Sequence, residues 1–229
     1  MDELIVKKNP KSSIAEAIRV VRTNIQFSLK LKKGKTILVT SSIQGEGKSF
    51  TSANLAVSFA QKNLKVLLVD CDLRLGRLHK IFKISNKVGF SNLLVYDNCR
   101  NYKGYVHETK VENLHFIPRG IVPPNPSEIL DSDNAKDFID AVREDFDIVI
   151  FDGTPITGLT DSLAFTKYVD KVVVVSAANY TKMNLLENTI KSLKNLDVDI
   201  AGVILNKVPN QASSSYYGSY YGSGYLKKW

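Results

Sequence analysis

The stretch TILVTSSIQGEGKSF, Thr36 to Phe50, limits what this chain can fold into more than any other. The apolar run Ile37-Leu38-Val39 reads as a buried strand and the glycines after it as a turn. Ser52-Ala53-Asn54-Leu55-Ala56-Val57 then reads as a helix that starts at once. A strand, a glycine turn and a helix N-terminus in that order make an anion cradle, because free backbone N–H groups and the helix dipole converge on one point. There Lys48 reaches β- and γ-phosphate oxygens, and Ser49 offers a hydroxyl to Mg²⁺. Gln44, Gly45, Glu46, Gly47 and Phe50 complete the candidate nucleotide-binding loop. The spacing G-x-x-x-x-G-K-[ST] is met except at its first glycine, where Ser42 stands.

The rest of the chain alternates strands and helices around this loop. Ile14, Ala17, Ile18, Val21, Ile25 and Leu29 recur at helical spacing over residues 12–31, with Ser12 or Ser13 as cap. On its polar side Glu16, Arg19 and Arg22 stand three apart, either as local helix support or as a stripe that meets a neighbouring subunit. Strands are expected at residues 36–40, 66–70, 114–118, 147–151, 171–176 and 200–205. Helices are expected at 48–62, 78–82, 90–94, 134–144, 161–168 and 183–196, with a short one opening at Ser127 after the proline run. VLLVD, IVIF and VVVV are apolar without alternation, as strands buried on both faces are. The expected fold is α/β, a doubly wound, mostly parallel sheet of P-loop type. Residues 1–31 are read as an N-terminal segment with the oligomerisation helix, 32–208 as the core, and 209–229 as a flexible tail.

Phosphate chemistry needs carboxylates near the cradle to hold Mg²⁺, directly or through water. Two strand ends supply them: Asp70 and Asp72 after VLLV, and Asp152 after IVIF. Ligands of open α/β sheets bind at such ends, although a strand-end Asp also commonly just caps a turn. Arg74 and Arg77 are equally readable as phosphate contacts or as surface residues. In the tail, Tyr216, Tyr217, Tyr220, Tyr221 and Tyr225 are five of the chain's ten tyrosines, spaced by Gly and Ser with no apolar periodicity to pack. Transfer to a phenol with pKa about 10 needs a base. Asp70 is the leading candidate, with Ser49, Asp72 and Asp152 on the metal side, and the first two aspartates are free to exchange roles.

Composition excludes little but consistently. The 229 residues suffice for one α/β core. Cys71 and Cys99 point to reduced thiols, and no apolar run approaches the ~20 residues of a membrane span, so a cytoplasmic protein is expected. The net charge of +8 comes with no nucleic-acid-binding pattern, so a generic positive surface is favoured over nucleic acid.

These residues together resemble the bacterial tyrosine kinases of capsule and exopolysaccharide synthesis, in their small Gram-positive form. SSIQGEGKS, LLVDCDLR and IVIFD are similar to that family's three Walker motifs in order. Glu16-Ala-Ile-Arg19-Val-Val-Arg22 resembles its E-x-x-R-x-x-R helix motif, while PPNPSEIL, GVILNK and the tyrosine tail resemble further landmarks. The likeness runs from about residue 12 to the tail. It implies ATP and Mg²⁺ held by Lys48, Ser49, Asp70, Asp72 and Asp152, with Asn206 near the adenine. It also implies a ring-shaped homo-oligomer with Glu16, Arg19 and Arg22 in its contacts, and a transmembrane adaptor that recruits and activates the kinase. A partner tyrosine phosphatase and phosphorylation of the tail complete the expectation. Gln44, Phe50 and Gly153-Thr154-Pro155 depart from the family's usual residues. The rival reading is an ATPase switch of the septum-positioning and partition class. Those proteins carry a signature lysine where this chain has Ile43, and they lack a tyrosine tail. A catalytically silent binding module of the same fold is the third reading.

Overall fold

The computed structural model describes residues 3–29 and 34–209. Its centre is a seven-stranded sheet in the order β3-β4-β2-β5-β1-β6-β7. The strands are β1 (Lys35–Ser41), β2 (Val66–Asp70), β3 (His107–Glu108), β4 (Leu114–Ile117), β5 (Ile148–Pro155), β6 (Lys171–Ala177) and β7 (Ile200–Asn206). All pairings are parallel except β3 with β4. The helices are α1 (Ile5–Lys8), α2 (Ser13–Leu29), α3 (Lys48–Ala60), α4 (Leu78–Phe82), α5 (Phe90–Tyr96), α6 (Pro126–Leu130), α7 (Asp133–Asp145), α8 (Asp161–Phe165) and α9 (Met183–Lys194).

Two apolar layers explain why the strands lack alternation. Ile37, Val39, Leu68 and Ile150 point into one layer with α2 and α3; Leu38, Val69, Val149 and Phe151 point into the other. That second layer is built on phenylalanines, with Phe90–Phe138 and Phe151–Phe165 centroids each 4.9 Å apart. Both faces of each central strand are therefore covered, and the runs Ile37–Val39, Val66–Val69 and Ile148–Phe151 are apolar throughout.

Three elements had no clear pattern in the sequence: α1, the two-residue β3, and a 3₁₀ segment Cys99–Tyr105. Each is too short for periodicity to register. The N-terminal segment is also not separate from the core, since Val6, Ile18, Ile25 and Leu29 lie in the α3 layer. Ser12 is the cap of α2, its hydroxyl accepting from Ala15 N–H at 3.2 Å. Ile14, expected inward, is exposed, and Ala15 is buried in its place.

At the N-terminal ends of the strands a polar knot fixes the central pairings. Asp170, just before β6, accepts from Thr36 N–H at 2.8 Å, Thr36 Oγ1 at 2.9 Å and Arg143 Nη1 at 2.7 Å. Burial works to raise the Asp170 carboxyl pKa, but the Thr36 donors and the Arg143 guanidinium outweigh it and hold the group below its ordinary value. A depressed carboxyl contributes stability that is present above its unfolded pKa and lost as pH falls through the folded one. Asp170→Asn should therefore lower stability by about 1–2 kcal/mol at neutral pH, a charge-assisted bond discounted for partial exposure. Urea unfolding should show the gap to the parent closing below about pH 4.

Candidate active site

The site forms where β1, β2 and β5 end together. β2 and β5 run parallel in a register that pairs Asp70 directly with Asp152, while Val39 of β1 pairs with Asp152 on the other side. The loop Ser42–Gly47 leaves β1 and turns into α3 with Gly45 at φ 88° and Gly47 at φ 94°, backbone that glycine adopts freely. A Cβ on Gly47 would also stand 2.0 Å from Asn206 Nδ2, so the close approach of β7 requires glycine here. A cleft of about 490 Å³ opens over this loop, lined among others by Lys48, Ser49, Phe50, Asp72 and Arg77. Its size suits a small-molecule ligand.

Lys48 is the hub. Its Nζ lies 3.1 Å from Asp152 Oδ1 and 3.8 Å from Asp72 Oδ2, and Ser52 Oγ donates to the same Asp152 oxygen at 2.9 Å. Burial disfavours the ammonium, but Asp152, Asp72 and Asp70 together outweigh it and raise its pKa, so Lys48 stays charged. Asp70 is fully buried and accepts from Leu78 N–H at 3.0 Å through Oδ2. Burial first, then the charge of Asp152, pushes its carboxyl well above the ordinary range.

Asp72 alone of the three aspartates lines the cleft. Its Oδ1 accepts from Arg74 N–H at 3.2 Å and Leu75 N–H at 2.9 Å, which aims Oδ2 at Lys48. The expected base Asp70 therefore stands behind Asp72. The chain turns immediately after β2, and Gly76 packs so tightly on Asp70 that a Cβ there would sit 2.3 Å from its Oδ1.

Other expected residues take different places. Glu46 is fully buried: it accepts from Ile43 N–H at 2.7 Å and from the Thr181 hydroxyl, so its side chain braces the loop from behind. Asn206 donates to Glu46 O at 2.9 Å and is likewise a brace. Gln44 and Gly45 are exposed on the cleft wall. Arg74 is committed to Asp161 through bonds of 2.7 and 3.0 Å, and Arg77 pairs with Glu3 at 2.7 Å. In α2, Glu16 and Arg19 form an exposed pair at 2.8 Å, but Arg22 is buried and donates to Ser58 O at 3.0 Å. Six residues at 100° each turn Arg22 about 120° from Glu16, onto the flank that meets α3. The tail tyrosines lie outside the described residues.

Sequence reasoning missed Tyr180, Thr181, Lys207 and Asp161 as parts of the site. Tyr180 Oη donates to Gln44 O at 3.1 Å, and Lys207 Nζ donates to Gly45 O at 2.6 Å while lying 5.0 Å from the Tyr180 ring centroid. An acid in the middle of the loop, Glu46, was the one available signal that something behind it must supply donors.

The residues fit Mg²⁺ with a nucleotide. Asp152 Oδ2 and Asp70 Oδ1 are buried oxygens without a partner among the described residues. A cluster of three His, Cys, Asp or Glu side chains arranged to enclose a metal is not found among them. Mg²⁺ in phosphoryl-transfer sites needs only one or two carboxylates, completed by phosphate and water.

A carboxyl raised by burial and by Asp152, as Asp70 is, costs the free protein stability as pH rises above its unfolded value. Asp70→Asn keeps an acceptor for Leu78 N–H and removes that cost. Without nucleotide or Mg²⁺ it should raise stability by about 1 kcal/mol, or roughly 2–4 °C in Tm by scanning fluorimetry. A lower Tm would mean that Asp70 is held neutral or paired.

The AAA-domain family matches residues 34–202. The chain is 36% identical over 214 residues to the putative tyrosine-protein kinase CapB of Staphylococcus aureus, covering 93% of each chain. It is 34% identical to the tyrosine-protein kinase YwqD of Bacillus subtilis over 94% of this chain and 91% of that one. Against other relatives, such as the tyrosine-protein kinase ptk of Acinetobacter johnsonii, it spans only 29% of their length. The kinase domain of the Escherichia coli tyrosine kinase ETK superposes with a TM-score of 0.86 and 28% identity, over 99% of this chain and 84% of that one. The septum site-determining protein MinD of Pyrococcus horikoshii, with TM-score 0.63 and 22% identity over 79% of this chain and 76% of that one, shares the fold alone. Nearly full-length likeness to tyrosine kinases, on a fold that gathers a loop lysine and three strand-end aspartates, places this chain in the bacterial tyrosine-protein kinase family.

Proposed function

We propose that this kinase uses ATP and Mg²⁺ to phosphorylate the C-terminal tyrosine cluster of a neighbouring copy, and so regulates capsular or exopolysaccharide polymerisation and export. The observation that carries the reading is Lys48, held 3.1 Å and 3.8 Å from Asp152 and Asp72 at the mouth of the phosphate-cradling loop. One side chain thus stands between the anion site and the carboxylates that phosphoryl transfer requires.

In this reading the loop N–H groups and Lys48 bind the polyphosphate, and Ser49 and Asp152 are the principal groups to hold Mg²⁺, with Asp72 beside them. Bound Mg²⁺ supplies charge neutralisation for the transferred phosphoryl group. Asp72, the aspartate on the cleft wall, accepts the phenolic proton. It takes the role first read onto Asp70, which the turn after β2 shields. Arg74 holds the Asp72 turn through Asp161 and does not reach for phosphate. The exposed Glu16–Arg19 pair is the part of the helix motif left for contacts within a ring. No helix among the described residues is long and apolar enough to cross a membrane. Recruitment to the inner face of the plasma membrane is therefore assigned to a transmembrane adaptor, with a partner phosphatase reversing the modification.

The test is intact mass after incubation with ATP and Mg²⁺, with and without the adaptor's cytoplasmic segment. The parent should gain several phosphates; Lys48→Met should gain none, and a chain truncated after Gln211 should lose those on the tail. ATP consumed without any addition would support the ATPase switch instead.

The same samples report on assembly. Each phosphotyrosine adds about −1.5 to −2 charges, so five add roughly −7.5 to −10 against the chain's +8. Light scattering should show a smaller mean mass after phosphorylation, and an unchanged mass would rule out a charge-driven release of the ring.

A further inference from the structure

The sheet ends on β7, and that edge is bare among the described residues. Asn206 O accepts from Ala178 N–H at 2.8 Å, on the β6 side. Alternation along a parallel strand then turns the N–H and C=O of Val203 and Leu205 away from β6, toward the open edge. Natural edges are guarded by charges, proline or bulges. Ile200-Ala201-Gly202-Val203-Ile204-Leu205 has neither charge nor proline, and its one register slip lies at the far end, beside Val172 and Val173. The side chains are equally bare: Val203 is 46% exposed, Leu205 60%, and Met183 of α9 68%. Beside Val203 runs a groove of about 470 Å³, lined by Met183, Leu186, Ile190 and Val203, with Glu187 and Lys191 among its polar residues.

We propose that residues 213–221 of the same chain, SSSYYGSYY, add to this edge as an antiparallel strand, with one row of tyrosines over Val203 and Leu205 and into the groove on α9. Three observations select this occupant. Lys207, the residue after β7, has φ 56°, so the chain begins to turn as it leaves the strand. The described chain stops at Pro209, three residues beyond β7, and residues 210–229 remain to be placed. Retracing the seven residues of β7 takes about 23 Å, which seven of those twenty span at about 3.3 Å each. In the repeat YYGSYYGS, alternation puts Tyr216 and Tyr220 on one face and Tyr217 and Tyr221 on the other. Every register therefore sets a tyrosine pair on the apolar side. Tyrosine suits such a half-wet groove, its ring on Val203 and Leu205 and its hydroxyl outward. Main-chain bonds supply part of the affinity, and the tyrosine rings on the apolar side supply the rest.

The docking stands whether or not the tail is a substrate. If it is, docked tyrosines are withheld from a neighbour's cleft, and that consequence alone rests on the function proposed above. The test is amide hydrogen exchange, resolved by residue at Val203 and Leu205, on the full chain and on the chain truncated after Gln211, each at two concentrations tenfold apart. In the full chain both amides should exchange at least tenfold more slowly than in the truncated one, independent of concentration. Replacing Tyr216, Tyr217, Tyr220 and Tyr221 by Ser should remove the protection while keeping the chain's length. This variant makes the same comparison should the truncation destabilise the core amides of Leu38 and Phe151. Equally fast exchange in all chains overturns the proposal. Protection that survives truncation and rises with concentration overturns it too, by assigning the edge to a second copy.

Discussion

The pairing of Asp70 with Asp152 across β2 and β5 is the constraint on which the rest of the site depends. Two carboxylates on adjacent parallel strands are carried into a dry sheet end by a register that the apolar residues below them enforce. With Asp72 added, one lysine faces three aspartates, and two buried carboxylate oxygens have no partner among the described residues. Packing on both sheet faces raises the cost of this buried charge, and the stability of the two apolar layers carries it. The cost falls at the strand ends, where a bound cation would offset it. A cation bound there would therefore add to the stability of the folded protein.

The loop that receives phosphate is held mostly from the side away from the ligand. Glu46 reads as a ligand residue by position, yet its carboxylate is used up by Ile43 N–H and Thr181. Asn206, Lys207 and Tyr180 bond carbonyls of the same loop. Each of these bonds leaves loop N–H groups free, because every brace either donates to a carbonyl or accepts from the loop's first residues. An anion cradle needs that division: carbonyls satisfied by the protein, amides kept for the ligand. Arg74 and Asp161 hold the turn that carries Asp72 by a side-chain pair.

How much of this was legible in the sequence follows from which residues own their environment. The central strands were readable because burial on both faces leaves an unbroken apolar run, and Lys48 and the three aspartates because strand ends mark themselves. The inner half of α2 was misread by one step. Ile14 and Ala15 are both apolar, and periodicity alone does not say which of two adjacent apolar residues faces α3. Arg22 was misplaced for a related reason: a long cationic side chain on a helix flank looks exposed until Ser58 of another helix supplies its acceptors. Asp70 and Asp72 were left interchangeable because alternation puts them on one side only while the strand lasts. β2 ends at Asp70, and the tight packing of Gly76 decides the matter from six residues further on.

The braces on the loop and the edge at β7 meet in three consecutive residues. Val208 continues a chain whose Asn206 and Lys207 are fixed to Glu46 and Gly45. The end of β7 is thus tied to the nucleotide loop itself. A shift of the chain at Asn206 or Lys207 therefore bears directly on the carbonyls of Glu46 and Gly45. Coupling of this kind needs no long pathway through the core. It requires only that the last strand end where the first loop begins, and the parallel order β1-β6-β7 places both at the same end of the sheet.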